Sequence, residues 1–197
     1  MTRALDRAIA ALAAGEVIVL TGDRLRGGDI DFAVAARHAT AEAINFMATH
    51  GKGLICLALT PAQAMRLGIS LINPGSDRQS GRPHGRSIEA RTGVSTGISA
   101  ADRARTVAVA VDPASTGDDL VSPGHVFPLI AAPGGVAERP AALEASIELV
   151  RRAGAGEAAV ICSIMREDGE MARLDDLADL IAQHGLAVAD IGDLSAG

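Results

Sequence analysis

Apolar residues fall along this chain in two rhythms, short unbroken runs and helical stripes. Thr2 can cap a helix whose apolar side includes Leu5, Ile9, Ala10 and Leu12, and Gly15 stops it. Val17–Leu20 reads as a buried strand and a second strand follows around Asp31–Ala36. Thr40 caps a helix through Ala48, with Ile44 and Met47 pointing inward and Gly51 ending it. Leu54–Leu59 is the next buried strand, and Thr60-Pro61 opens another helix with proline at its favoured first position. Ser99, with Asp102 three residues on, approximates a capping box for a helix running into Val109. Pro140 starts an amphipathic helix through Arg152, and Ala158–Ile164 is a buried strand. Asp168-Gly169 reads as a hairpin turn, and a helix near Leu174–His184 precedes a last strand, Ala187–Ile191.

Composition narrows what these elements can build. A chain of 197 residues suits one compact domain spanning residues 1–197. Hydrophobic residues make up 48%, yet there is no Trp or Tyr and only three Phe, so the core is Ala, Val, Ile and Leu. The net charge of −6 argues against general nucleic-acid binding, which needs a basic surface with stacking aromatics. Positive charge is nearly all arginine, Lys52 being the only lysine. Cys56 and Cys162 sit inside apolar runs, as buried thiols in a reducing cytosol do. No stretch reaches the roughly 20 apolar residues of a membrane span. The opening MTRALDRAIAALAAG reads as an amphipathic helix rather than a signal peptide. A cytoplasmic protein without membrane or nucleic-acid partners is the expectation.

Candidate chemistry concentrates in four segments. Thr21–Phe32, TGDRLRGGDIDF, joins an apolar strand to a loop rich in Gly, Arg and Asp. Arg24 and Arg26 offer forked donors for phosphate or carboxylate, and Asp23, Asp29 and Asp31 add acceptors able to handle protons. A solvated hairpin turn would have the same composition. Residues 73–86, NPGSDRQSGRPHGR, are the least hydrophobic segment, and Arg78, Arg82, Arg86 and His84 make it basic. A solvated loop and a lid carrying positive charge to an anion both fit. Gly93–Arg103 leads a Ser/Thr/Gly loop into a helix N-terminus, where unpaired N–H groups can meet an anion. In Ser122–Leu129, His125 is either a hydrogen-bonded structural histidine or an acid/base, its ordinary pKa of roughly 6.5 suiting proton transfer near neutrality.

These segments resemble 3,4-dihydroxy-2-butanone 4-phosphate synthase, the riboflavin-pathway enzyme that splits formate from ribulose 5-phosphate. Gly93-Val94-Ser95-Thr96-Gly97-Ile98-Ser99-Ala100-Ala101-Asp102-Arg103 follows the family's Gly-Val-Thr-Thr-Gly-x-Ser-Ala-x-Asp-Arg, and residues 124–129 repeat its Gly-His-Val-Phe-Pro-Leu. Similarity runs from about Ala4 to Leu194, with Met171-Ala172-Arg173 matching near the end. Where the family reads Asp-Arg-Glu-x-Glu-Gly-Asp-Leu, the chain placed without gaps reads Leu25-Arg26-Gly27-Gly28-Asp29-Ile30-Asp31-Phe32, so Arg26 and Asp31 match. In that frame Gly27 replaces the glutamate that holds magnesium, and Asp29 is a shortened second glutamate. Where the family reads Arg-x-Gly-His-Thr-Glu-Ala, Arg139 keeps the phosphate-gripping position. Ala142 replaces the metal-binding histidine and Leu143 the phosphate-binding threonine. The family's Cys-Glu is Cys162-Ser163, which removes another catalytic carboxylate.

The resemblance implies an α/β, sandwich-like fold with mixed sheets flanked by helices, and a homodimer with sites near the subunit interface. It assigns His125, Asp31 and Asp29 to catalysis and Arg26, Ser95, Thr96 and Arg139 to a small phosphorylated or anionic substrate, to which this chain's own basic segment adds Arg86. No cofactor is expected, because Gly27 and Ala142 cannot donate an electron pair to the family's magnesium. Asp29 with Asp31 and waters would make a weaker metal site. Three functions follow as expectations: metal-independent enolisation, elimination or rearrangement by a diverged member, a non-catalytic ligand-binding homologue, and the ordinary synthase.

Overall fold

The computed structural model describes residues 2–72 and 82–195. In chain order the elements are α1 Arg3–Ala14, β1 Ile18–Asp23, β2 Asp29–Ala35, α2 Ala41–Gly51, β3 Cys56–Leu59, α3 Pro61–Arg66, β4 Ile88–Ala90 and α4 Ala100–Val111. They continue with β5 Leu120–Ile130, α5 Gly135–Glu138, α6 Ala142–Arg152, β6 Ala159–Ser163, α7 Ala178–His184, β7 Ala187–Asp190 and α8 Gly192–Ser195. The seven strands form one mixed sheet in the order β4-β5-β3-β6-β2-β1-β7. β1 lies parallel to β7 and β3 parallel to β5, while the other neighbours are antiparallel.

Side-chain alternation along the strands sends two apolar sets to opposite faces. Val19, Phe32, Val34, Leu57, Val160 and Cys162 pack with Ile44 and Met47 of α2 and Val107 and Ala110 of α4. Ile18, Leu20, Ala33, Cys56, Ala58, Ala159 and Ile161 face Leu5 and Leu12 of α1 and Leu149 and Val150 of α6. Small residues dominate this second face and let α6 settle deeply, with residues 142–147 all buried. Each large side chain so buried, such as Phe32 or Leu57, contributes about 1.5–3 kcal/mol.

Hydroxyl caps fix the helix starts. Thr2, Thr40, Thr60 and Ser99 each accept a backbone N–H of their helix's first turn. Four expectations change in detail. On α1 the buried positions are Leu5, Ala8, Ala11 and Leu12, and Ala10 is exposed. Gly51 lies inside α2, where a Cβ would press on the Cys162 thiol and the Ser163 carbonyl, and Lys52 takes the left-handed cap at φ 62°. The segment at Leu174–His184 is a 3-10 turn, Leu174–Leu177, followed by α7. α6 begins at Ala142, two residues after Pro140.

Candidate active site

The hairpin between β1 and β2 builds an acidic cluster. Arg24–Arg26 forms one 3-10 turn, and Gly27 and Gly28 reverse the chain at φ 68° and 82°. A Cβ on either glycine would meet nothing within 4 Å, so backbone conformation rather than space selects glycine there. The turn folds Arg26 back over the hairpin. Its Nη2 donates to Asp29 Oδ2 at 2.8 Å, its Nη1 donates to Asp31 Oδ2 at 2.9 Å, and Nη1 stands 3.8 Å from Asp23 Oδ2. Asp31 is fully buried, with 0% exposure. A second guanidinium, from Arg82, donates through Nη2 to Asp31 Oδ1 at 2.5 Å. Ser163 on the neighbouring strand donates its hydroxyl to Asp31 Oδ1 at 2.8 Å and accepts from both arginines at 3.2 and 3.0 Å. Arg173 reaches Asp29 Oδ1 at 3.3 Å. Three carboxylates thus face three guanidiniums, and the formal charge of the cluster is balanced.

This balance revises what Asp31 and Arg26 can do. A carboxylate whose oxygens accept from two guanidiniums and a hydroxyl has its lone pairs engaged within the protein and is shut away from a substrate. Arg26, engaged by three aspartates, has little positive field left for a substrate anion. Ser163 is likewise saturated, and Arg82 stands 3.9 Å from Cys56 Sγ. Burial pushes the Cys56 thiol up to about 11 and the Cys162 thiol up to about 12, so neither is a nucleophile near neutrality.

His125 lies elsewhere. It sits where β5 bulges: Ile88 pairs with Val126, but the next residue, Glu89, pairs with Val121. Bulges of this kind re-aim side chains. Its Nδ1 is 2.9 Å from Glu89 Oε2, and the ring is 42% exposed against 12% for Glu89. The strands β3 and β6 separate β5 from β2, which puts the backbones of His125 and Asp31 roughly 14 Å apart at ordinary strand spacing. Sequence reasoning joined these two residues in one proton-moving set, and within the chain the fold does not bring them together. It also missed Glu89, a single acid in the short strand Ile88–Ala90 that carries no local signal.

The Ser/Thr/Gly loop is organised by Asp102. Its Oδ2 accepts from the Ser95 hydroxyl at 2.8 Å and from Gly97 N–H at 3.0 Å, and Oδ1 accepts from Ser95 N–H at 3.2 Å. These bonds hold its carboxyl below the usual range, the Ser95 hydroxyl first among them. The expected reciprocal capping box is therefore half formed: Ser99 Oγ accepts from Asp102 N–H, but the Asp102 side chain serves the loop. Thr96 is exposed, and so is Arg86. Arg78 and most of the basic segment expected as a solvated loop or lid, residues 73–81, lie outside the described residues.

Arg139 lies against α6, with Nη1 3.4 Å from Glu144 Oε1, which also accepts from Ala132 N–H at 3.0 Å. Burial raises the Glu144 carboxyl above its ordinary value. The first N–H of α6, at Ala142, donates to Asp23 Oδ2 at 3.0 Å, so an aspartate from the hairpin caps this helix.

Magnesium does not fit this arrangement. No group of three or more His, Cys, Asp or Glu side chains able to hold a metal occurs among the described residues. At the hairpin, guanidinium groups already occupy the space between the aspartates. Asp23 Oδ1 is buried without a partner, but one oxygen is not a cation site. Ala142 offers the position only a backbone N–H, and Gly27 no side chain. The family motif also lies along Asp23–Ile30, two residues earlier, where Asp23, Arg24, Gly28 and Asp29 all coincide. The glutamates then fall on Leu25 and Gly27, so this frame loses both carboxylates, whereas the gap-free frame loses one and keeps a shortened one at Asp29.

Residues 6–196 match the family of 3,4-dihydroxy-2-butanone 4-phosphate synthase. A protein of that name from Pseudomonas syringae is 46% identical over 180 residues, covering 91% of this chain and 49% of its own. The riboflavin biosynthesis protein RibBA of Aquifex aeolicus is 44% identical over 192 residues, covering 96% of this chain and 47% of its own. The chain thus spans about half the length of these curated relatives. Among solved structures, a 3,4-dihydroxy-2-butanone 4-phosphate synthase in complex with two magnesium ions superposes with a TM-score of 0.91 at 33% identity, covering 99% of this chain and 96% of that one. The two-domain synthase RibBX from A. baumannii gives 0.89 at 40% identity, covering 96% of this chain and 56% of that one. By sequence along nearly its whole length and by fold, the chain belongs to the 3,4-dihydroxy-2-butanone 4-phosphate synthase family.

Proposed function

We propose that this chain is a diverged member of its family that carries out acid/base chemistry on a small phosphorylated or otherwise anionic substrate without a divalent cation. The observation that carries this reading is the pair of guanidiniums, Arg26 and Arg82, closed on the buried carboxylate of Asp31. Enolisation, elimination or rearrangement needs a group that takes a proton from carbon and returns it. His125 is the group left for that work, since its ring is half exposed and Asp31 is sealed. Anion binding falls to the exposed Thr96 in the loop before α4, with Arg139 and the exposed Arg86, while Ser95, whose hydroxyl and N–H both go to Asp102, holds that loop in place. Asp29 acts through Arg26 and Arg173 rather than as a base. A homodimer, as the resemblance implies, is part of this proposal.

The ordinary synthase reaction is the second reading, favoured by relatives of that name at 40–46% identity. Purified protein incubated with ribulose 5-phosphate, with and without magnesium, separates the two by the release of formate. The first reading expects none above background. Magnesium-dependent formate at the rate of an authentic synthase establishes the second. A thermal-shift series of sugar phosphates then identifies the anions that bind, and His125→Ala is expected to keep binding and abolish turnover.

A further inference from the structure

Glu89 stands behind His125 in an arrangement built by three separate segments. Its carboxylate is buried, with Oε2 2.9 Å from His125 Nδ1 and Oε1 without a hydrogen-bond partner. Gly97 of the Ser/Thr/Gly loop lies directly against it. A Cβ there would fall 1.5 Å from Oε1 and 2.2 Å from Oε2, and the residue has φ 85°. Gly124, next to His125, packs as tightly on the other side, where a Cβ would fall 2.1 Å from the Ile88 carbonyl oxygen. The two glycines thus close the backbone around β4, and this fixes both the depth of Glu89 and the approach of His125.

We propose that Glu89 is the positioning residue of His125, holding the proton of the neutral ring on Nδ1 so that Nε2 faces outward as the proton acceptor. This rests on the reading of His125 as the proton-moving group. The chemistry is that of a carboxylate behind an imidazole. An oxygen lone pair opposite Nδ1 is satisfied only if that nitrogen carries the hydrogen, which leaves the Nε2 lone pair free. When a substrate proton passes to Nε2, the Nδ1–H stays where it is, and the imidazolium formed lies against the negative charge of Glu89. Return of the proton from Nε2 to another atom of substrate restores the neutral ring, so no proton is gained or lost over the cycle. A solvated imidazole, by contrast, keeps its proton mainly on Nε2 and presents the wrong nitrogen.

The test is the tautomer of His125, read from side-chain 15N shifts by long-range 1H–15N NMR above the ring's titration. The signal is assigned by its loss in His125→Asn. The wild-type protein is expected in the Nδ1–H form. Glu89→Gln and Glu89→Ala are expected to move it toward Nε2–H, and Glu89→Asp, which keeps the charge, to restore part of the Nδ1–H population. An Nε2–H ring in the wild type, or a tautomer unmoved in a folded Glu89→Ala protein, overturns the proposal. If both Glu89 variants fail to fold by circular dichroism, the wild-type and Glu89→Asp spectra still decide it. The measurement needs no substrate, so it fails or succeeds separately from the formate and turnover assays. Once a substrate is in hand, Glu89→Gln is expected to lower kcat with KM changed far less.

Discussion

Burying the Asp31 carboxylate away from water is costly unless its charge is met, and two guanidiniums and a hydroxyl meet it. The Arg26→Ala/Arg82→Ala double variant leaves Asp31 with only Ser163 in this cluster. We expect it to lower the unfolding free energy by about 3–5 kcal/mol, the usual result of orphaning a buried charge, read from urea midpoints. Each single variant keeps one guanidinium and loses less. A double variant with an unchanged midpoint contradicts the cluster's structural role. The thiols give a second expectation: with Cys56 and Cys162 pushed up to about 11 and about 12 by burial, a disulfide reagent at about pH 8 labels neither in the folded protein and both in denaturant. Asp31 and Arg26 were legible as polar residues bracketed by apolar runs. Arg82 was not, because it is 51 residues from Asp31 and nothing local in a basic, glycine-rich segment points to a buried partner.

Helix caps made most elements readable, since Thr2, Thr40, Thr60 and Ser99 all act where the pattern placed them. The strand β5 was not readable. Gly124, Pro123 and Pro128 argue against a strand locally, and pairing with β3 and β4 overrides them. Its bulge is what presents His125, so the illegible element carries the candidate base. Gly97 shows the same dependence on tertiary context. Its alanine variant places a methyl group on the Glu89 carboxylate and strains a left-handed residue, with an expected loss of about 2 kcal/mol or more by thermal or urea unfolding. Phe46, His50 and His184 meet with tilted and edge-on rings where α2 meets α7. Burial, with His184 and Lys52 nearby, holds the His50 imidazole below its usual value. The unfolded chain therefore takes up this proton before the folded one does, and stability falls as pH drops through about 6.5 toward the lower folded value. His50→Gln is expected to lose less stability than wild type between about pH 7.5 and about pH 5.5, compared by urea unfolding at both. Equal losses would remove His50 from the acid limb.

At the scale of the molecule, one mixed sheet holds two polar centres apart. The hairpin cluster on β2 and β6 is charge-balanced and sealed, while the His125–Glu89 pair on β4 and β5 is partly open to solvent. The fold was legible through long motifs whose residues mostly serve the backbone: Asp102 and Gly97 set the loop, and Gly124 the strand contact. Chemistry was legible only as absence, in Gly27, Ala142 and Ser163, because what fills the vacated positions comes from distant parts of the chain. The central claim is that arginine side chains have taken over the charge balance that a divalent cation would otherwise supply. Calorimetric titration of magnesium into the purified protein, in the presence of ribulose 5-phosphate, tests it most directly. No saturable heat is predicted up to millimolar magnesium, whereas stoichiometric binding at micromolar affinity would contradict the account.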